Sequence, residues 1–127
     1  MTVGQVLVIL SLLAQVYLVN PAAMQCMIQR ESDYNVDAVN GPCVGLAQWH
    51  PETRAWLGEK ARGDPAWLHG DIGEGDVYDL ALMAWALKNG YKDHWQVTPL
   101  CERKALERWE EEHAKATEDT FWAKADR

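Results

Sequence analysis

Residues 3–19 carry no charged side chain and are interrupted only by Gly4, Gln5, Ser11 and Gln15, with a dense apolar centre at Val6-Leu7-Val8-Ile9-Leu10. At 100° per residue, Gln5, Ser11 and Gln15 fall within about a third of a helical turn, a weakly polar stripe suited to a buried helix. The run also approaches the roughly 20 residues that span a bilayer. Two expectations therefore stand for residues 1–19: a buried first helix, or a membrane anchor. No Lys or Arg precedes the run and no small-residue cleavage site is evident, which argues against a secretory signal.

Asn20-Pro21 predicts a helix start, with Asn as N-cap and Pro at the first helical position, running to about Arg30. Residues 33–49 are rich in turn formers, among them Asn35, Asn40-Gly41-Pro42 and Gly45, and predict an irregular loop or one small hairpin. His50-Pro51-Glu52 repeats the proline signal and opens a helix through Trp56 and Leu57 to Ala61. Gly63-Asp64-Pro65 and residues 70–75 read as loop. Asp76, with Asp79 three residues on, is expected to cap a helix whose apolar positions are Val77, Leu80, Ala81, Ala84 and Leu87, ended by Asn89-Gly90. Thr98-Pro99 opens the last helix, with Leu106, Trp109 and Ala116 along one side and Glu111 and Lys115 spaced as an i,i+4 pair. The pattern is mainly α, at most α+β through one hairpin, without repeats or a linker.

Composition narrows the function. The chain has 127 residues, one domain's worth, and 48% of them are apolar, enough for a packed core. Its net charge of -7 lacks the basic footprint of nucleic-acid binders, so no nucleic acid is expected as main partner. Cys26, Cys43 and Cys101 show no CxxC spacing and no companion His, so neither a metal nor another cofactor is expected. At most one disulfide can form; buried thiols are the alternative. Seven Trp against four Tyr and one Phe is an unusual ratio. Trp56, Trp85 and Trp109, at helical spacing with apolar neighbours, are expected in the core. Trp49, Trp67 and Trp95, in or near loops, are expected to offer indole faces to a ligand.

The most informative stretch is MQCMIQRESDYNVDAVNGPCVGLAQ, residues 24–48. Met24, Met27, Ile28 and Glu31 lie at i, i+3, i+4 and i+7, which puts Glu31 on the apolar stripe. Desolvation and the carbonyl end of the helix both disfavour its charge, and a carboxyl kept protonated is what a general acid requires. A solvent-facing Glu31 paired with Arg30 is the plainer alternative.

Glu31-Ser32, Tyr34-Asn35, Ala38-Val39-Asn40 and Gly45-Leu46-Ala47-Gln48 together resemble the lysozyme-like domain of the soluble lytic transglycosylase family. That family shows a Glu-Ser pair at a helix end, an Asn-Pro-x-Ala loop and a Gly-Leu-Met-Gln strand. Val36 stands where the family usually has Pro, and Ala47 where it usually has Met. Trp49-His50-Pro51-Glu52-Thr53-Arg54 continues the likeness, which covers residues 20–61. Later, Ala84-Trp85-Ala86-Leu87-Lys88-Asn89-Gly90-Tyr91 takes the place of the family's Ala-Tyr-Asn-Ala-Gly.

The resemblance implies a lysozyme-like fold over residues 20–127 with a small hairpin or irregular loop after the catalytic-Glu helix. It implies cleavage of the β-1,4 bond between N-acetylmuramic acid and N-acetylglucosamine in peptidoglycan, with Glu31 as the single acid and base. Ser32, Asn40, Gln48, Trp49, Tyr91 and Trp95 are the expected substrate-binding residues, with Trp85 as rival to Tyr91. Local capping and loop bonding is the plainer role for Ser32 and Gln48. A hydrolase of the same fold usually needs a second carboxyl, about 5 to 9.5 Å away. Asp33, Asp37, Asp64, Asp71, Glu74 and Asp76 are available, and their spacing singles out none. A non-catalytic peptidoglycan-binding module is the third expectation. Because peptidoglycan is anionic, a chain of net charge -7 gains no steering towards it. Residues 3–19 are therefore expected to deliver the domain through a membrane or a virion-like assembly, placing it in the periplasm, the cell envelope or a phage virion.

Overall fold

The computed structural model describes the backbone of residues 1–70 and 75–125, and side chains as far as residue 114. It is mainly helical: α1 (Val3–Tyr17), α2 (Pro21–Ser32), β1 (Val39–Asn40), β2 (Cys43–Val44), α3 (Pro51–Arg62), α4 (Asp76–Lys88) and α5 (Thr98–Ala125).

Thr2 caps α1 reciprocally with Gln5, and Leu18 closes it in the left-handed conformation. Val6, Leu10, Leu13, Ala14 and Tyr17 form its buried side, packed on α2 and α4. The helix is thus built into the core. Its outer ridge, Val8, Leu12 and Val16, is exposed. Among the described residues no helix is long and apolar enough to cross a membrane.

Asn20 caps α2 as its sequence predicts, its side chain accepting from the Ala22 and Ala23 N–H groups at 2.8 and 3.3 Å. The helix runs two residues past Arg30 and ends at Asp33 in the left-handed region. Met24, Met27 and Ile28 are fully buried, each contributing about 1.5–3 kcal/mol of transfer free energy. Cys26 is bridged to Cys101, tying α2 to α5 across 75 residues of sequence, while Cys43 is free. Closing so long a loop removes roughly 4 kcal/mol of unfolded-chain entropy in the loop-closure description.

The turn-rich segment does form one hairpin, with Val39 opposite Val44 and Asn40 opposite Cys43. Gly41, at φ +60°, takes the first turn position, where a type II′ turn demands a left-handed residue. A further bridge joins Val44 to Trp49, so residues 45–48 form a second tight loop.

α4 is the centre of the molecule. Val77 lies half exposed, yet Tyr78 and every residue from Leu80 to Ala86 are buried, because α1 and α3 pack on different sides of the helix. At Gly58 of α3 an added Cβ would stand 2.6 Å from the Tyr78 hydroxyl, so any larger residue there would have to displace the Tyr78 side chain. The expected Asp76 cap is not formed: Gly75 occupies the N-cap without a side-chain bond, and Asp79 pairs instead with Arg54.

On α5 the inward positions among the described side chains are Thr98, Cys101 and Ala105. Leu106 and Trp109, expected to pack inward, are about half exposed on the rim of an apolar cleft of about 540 Å³ shared with Leu18, Met27 and Leu87. The side chains of Lys115 and Ala116 lie outside the described residues.

Candidate active site around Glu31

Glu31 occupies the last turn of α2, one turn beyond fully buried Met27 and Ile28, and is itself half-buried. Its position on the apolar stripe has the expected electrostatic result. Burial holds its carboxyl above the ordinary 4.5, partly opposed by the charge of His94.

The chain reverses sharply just after it. Asp33 and Tyr34 both have left-handed backbones, at φ 50° and 61°. Such conformations cost of order 1–3 kcal/mol each in non-glycine residues and gather at functional sites. The reversal is fastened by the Tyr34 hydroxyl, which donates to the Gln25 carbonyl at 3.2 Å.

Gln48, also left-handed at φ 50°, is buried beneath the hairpin. Its amide donates to the carbonyls of Ala38 and Gly45, at 3.0 and 2.8 Å, stapling the two ends of the loop. Ser32 donates to the Ile28 carbonyl of its own helix at 3.1 Å. Both side chains are thus engaged in local helix and loop bonding, the plainer of their two expected roles. Asn40 is exposed at the hairpin turn, paired with Cys43.

The expectation that Trp49 and Trp95 present open indole faces is overturned: they are 1% and 2% exposed. The reason lies in their N–H groups. Trp49 donates to the Asp79 carbonyl at 3.0 Å and Trp95 to the Ala47 carbonyl at 2.7 Å, so both indoles enter the core with no donor unsatisfied. Their rings meet edge to face at 4.7 Å. Trp67 is part-buried against Tyr17 and Tyr78, its N–H donating to the Gly70 carbonyl.

His94 is the residue that sequence reasoning missed. Its ring stacks on Trp49 with centroids 5.1 Å apart, and its Nε2 lies 3.0 Å from the Gln48 carbonyl. A carbonyl oxygen only accepts, so Nε2 is the ring nitrogen that donates to it. The only available signal was its place beside Trp95 in the loop after Asn89-Gly90.

Tyr91 belongs to another cluster, stacked on Trp85 at 5.6 Å and edge-on to Trp56 at 5.8 Å. Trp85 is buried, as expected. Trp56 and Trp109, expected in the core, are 52% and 51% exposed. Helical spacing marks a face, but α4 meets α3 through Leu57, Gly58 and Ala61, which leaves Trp56 outside.

Of the carboxyls considered as a second group, Asp33 and Asp37 are exposed, and Asp64 is held below its usual range by N–H bonds from Ala66 and Trp85. Asp76 opens α4, whereas Asp71 and Glu74 lie outside the described residues. Asp79 was not singled out by the sequence. Burial pushes its carboxyl up, opposed by Arg54 at 2.6 Å. The neighbouring charge that acts on Glu31 is that of His94. No three His, Cys, Asp or Glu among the described residues converge as a metal site.

Comparison of the chain with protein-family models, with curated proteins and with solved structures gives no match.

Proposed function

We propose that this protein is a lytic transglycosylase of lysozyme-like fold that cleaves the β-1,4 bond between N-acetylmuramic acid and N-acetylglucosamine in peptidoglycan. The observation that carries the reading is Glu31: a carboxyl on an apolar helix stripe, raised in pKa by burial, with a histidine as its charged neighbour. A single group that first gives and then takes a proton fits that environment.

In this mechanism the Glu31 carboxyl protonates the glycosidic oxygen as its bond to the anomeric carbon breaks. The resulting carboxylate then takes the proton of the muramic C6 hydroxyl while that oxygen closes a 1,6-anhydro ring on the anomeric carbon. No water is consumed, and Glu31 ends protonated, ready for the next bond. The left-handed turn at Asp33 and Tyr34 and the Gln48 staple keep the acid's surroundings fixed, which such positional chemistry needs.

Delivery through residues 3–19, to a membrane surface or a virion-like assembly, belongs to the same proposal. Its support is the exposed ridge Val8, Leu12 and Val16 together with the net charge of -7.

Purified cell walls supply the test. Wild-type protein is expected to release muropeptides with anhydro-muramic ends, lighter by one water than hydrolysed ends. Glu31→Gln is expected to lower release by about 10²-fold or more while the melting temperature stays nearly unchanged. Hydrolysed ends would replace the transglycosylase with a hydrolase, and wall binding without any product would leave a binding module.

A further inference from the structure

Where α3 ends and α4 ends, a cleft of about 360 Å³ is lined by Lys60, Asp64, Trp85, Asn89 and Tyr91. It shares no side chain with Glu31, His94, Trp49 or Trp95. Its aromatic wall is ordered in layers. Tyr91 lies nearly parallel on Trp85, 13° between planes, and Trp56 meets Tyr91 at 90°. The Lys60 ammonium sits 4.7 Å from the centre of the Trp56 ring and 5.9 Å from that of Tyr91.

The polar groups of the cleft are held in place as well. Asp64 accepts the Trp85 indole N–H at 2.8 Å on one oxygen and the Ala66 N–H at 2.9 Å on the other. Those two donors keep its carboxyl below the usual range, and each oxygen retains a further acceptor position. Asn89 is fixed by donating to the Trp85 carbonyl at 2.8 Å. The cleft therefore joins the Tyr91 and Trp85 rings to a pre-oriented carboxylate and a fixed amide, with the half-exposed Trp56 ring beside it, edge-on to Tyr91.

That combination matches the two chemical aspects of a sugar. A pyranose ring has a face of C–H groups that packs against aromatic surface and a rim of hydroxyls that donate to carboxylate oxygens. A pocket of this size lies at the lower end of those that take small ligands, with room for a single ring. We propose that this cleft is a second saccharide-binding site, which takes a pyranose unit of a glycan strand against the Tyr91 ring, with its hydroxyls on Asp64 and the strand running on over the neighbouring exposed Trp56 ring. The choice of β-1,4-linked N-acetylhexosamine as the glycan rests on the proposed function. In an enzyme working on an insoluble polymer, such a site holds the strand while bonds are broken elsewhere.

The test titrates the full chain carrying Glu31→Gln with the β-1,4-linked tetramer of N-acetylglucosamine, followed by NMR of the indole N–H signals. The Trp85 signal, which reports the bond to Asp64, is expected to move saturably. Trp56→Ala is expected to weaken that binding about tenfold, and Trp56→Phe to restore most of it. Shifts confined to the Trp49 and Trp95 signals, an affinity untouched by Trp56→Ala, or no binding at all would each overturn the proposal. If Trp56→Ala does not fold, the shift map of the chain with Trp56 intact decides alone. Digestion of cell walls by the wild type is measured separately: binding at Trp85 without digestion leaves this site standing and removes the enzymatic reading.

Discussion

Glu31 and His94 act on each other through charge, and the direction is testable. A protonated His94 favours the Glu31 carboxylate and so draws its pKa down against the effect of burial. Replacing it with glutamine, which can still donate to the Gln48 carbonyl, removes the cation and lets the Glu31 pKa rise further. Under the proposed function, the alkaline fall of cell-wall cleavage is then expected to move to higher pH in His94→Gln. Overlapping pH profiles for wild type and variant would show that His94 has no such influence. Residues differ in how far the sequence alone revealed them. Glu31 was legible because four residues of one helix fix its face. The burial of Trp49 and Trp95 was not, because their acceptors, the carbonyls of Asp79 and Ala47, lie 30 and 48 residues away. His94 failed to show for the same reason, since its role depends on the packed Trp49 ring and not on any neighbour in sequence.

Among the elements, the helix starts were plain because Asn20-Pro21, His50-Pro51 and Thr98-Pro99 are local signals, and all three open helices. The inward faces of α3 and α5 were less so, because spacing does not say which neighbour a helix meets. The end of α1 is joined to the loop after α3 by a clasp that no local pattern announces. The Tyr17 hydroxyl is hydrogen-bonded to His69 Nδ1 and accepts the Leu68 N–H. Burial disfavours the charged ring and holds His69 below the 6.5 of a free histidine. The folded chain thus binds a proton at His69 less readily than the unfolded chain. The clasp's contribution is fully present above about pH 6.5 and is lost as pH falls through the lower folded value. The melting temperature is expected to drop between pH 8 and pH 5, with a shallower drop in His69→Gln. Equal slopes for the two proteins would show that this histidine does not govern acid stability.

At the scale of the whole molecule, α4 is the hub, with α1 and α3 packed on it and α2 held between α1 and α5. The sequence showed the helix count and the hairpin region but not this arrangement, which depends on close approach at Gly58 and on a cystine whose pairing the spacing left open. That cystine has a further consequence for the connectivity of the chain under proteolysis. Residues 1–29 contain no Lys or Arg, so trypsin meets its first cleavage point at exposed Arg30. Complete digestion without reductant is expected to yield residues 1–30 joined through Cys26 and Cys101 to residues 93–103, at the summed mass of the two peptides less two hydrogens. A reductant should split that species in two. If the two peptides instead appear separately before reduction, α2 and α5 share packing but no covalent link.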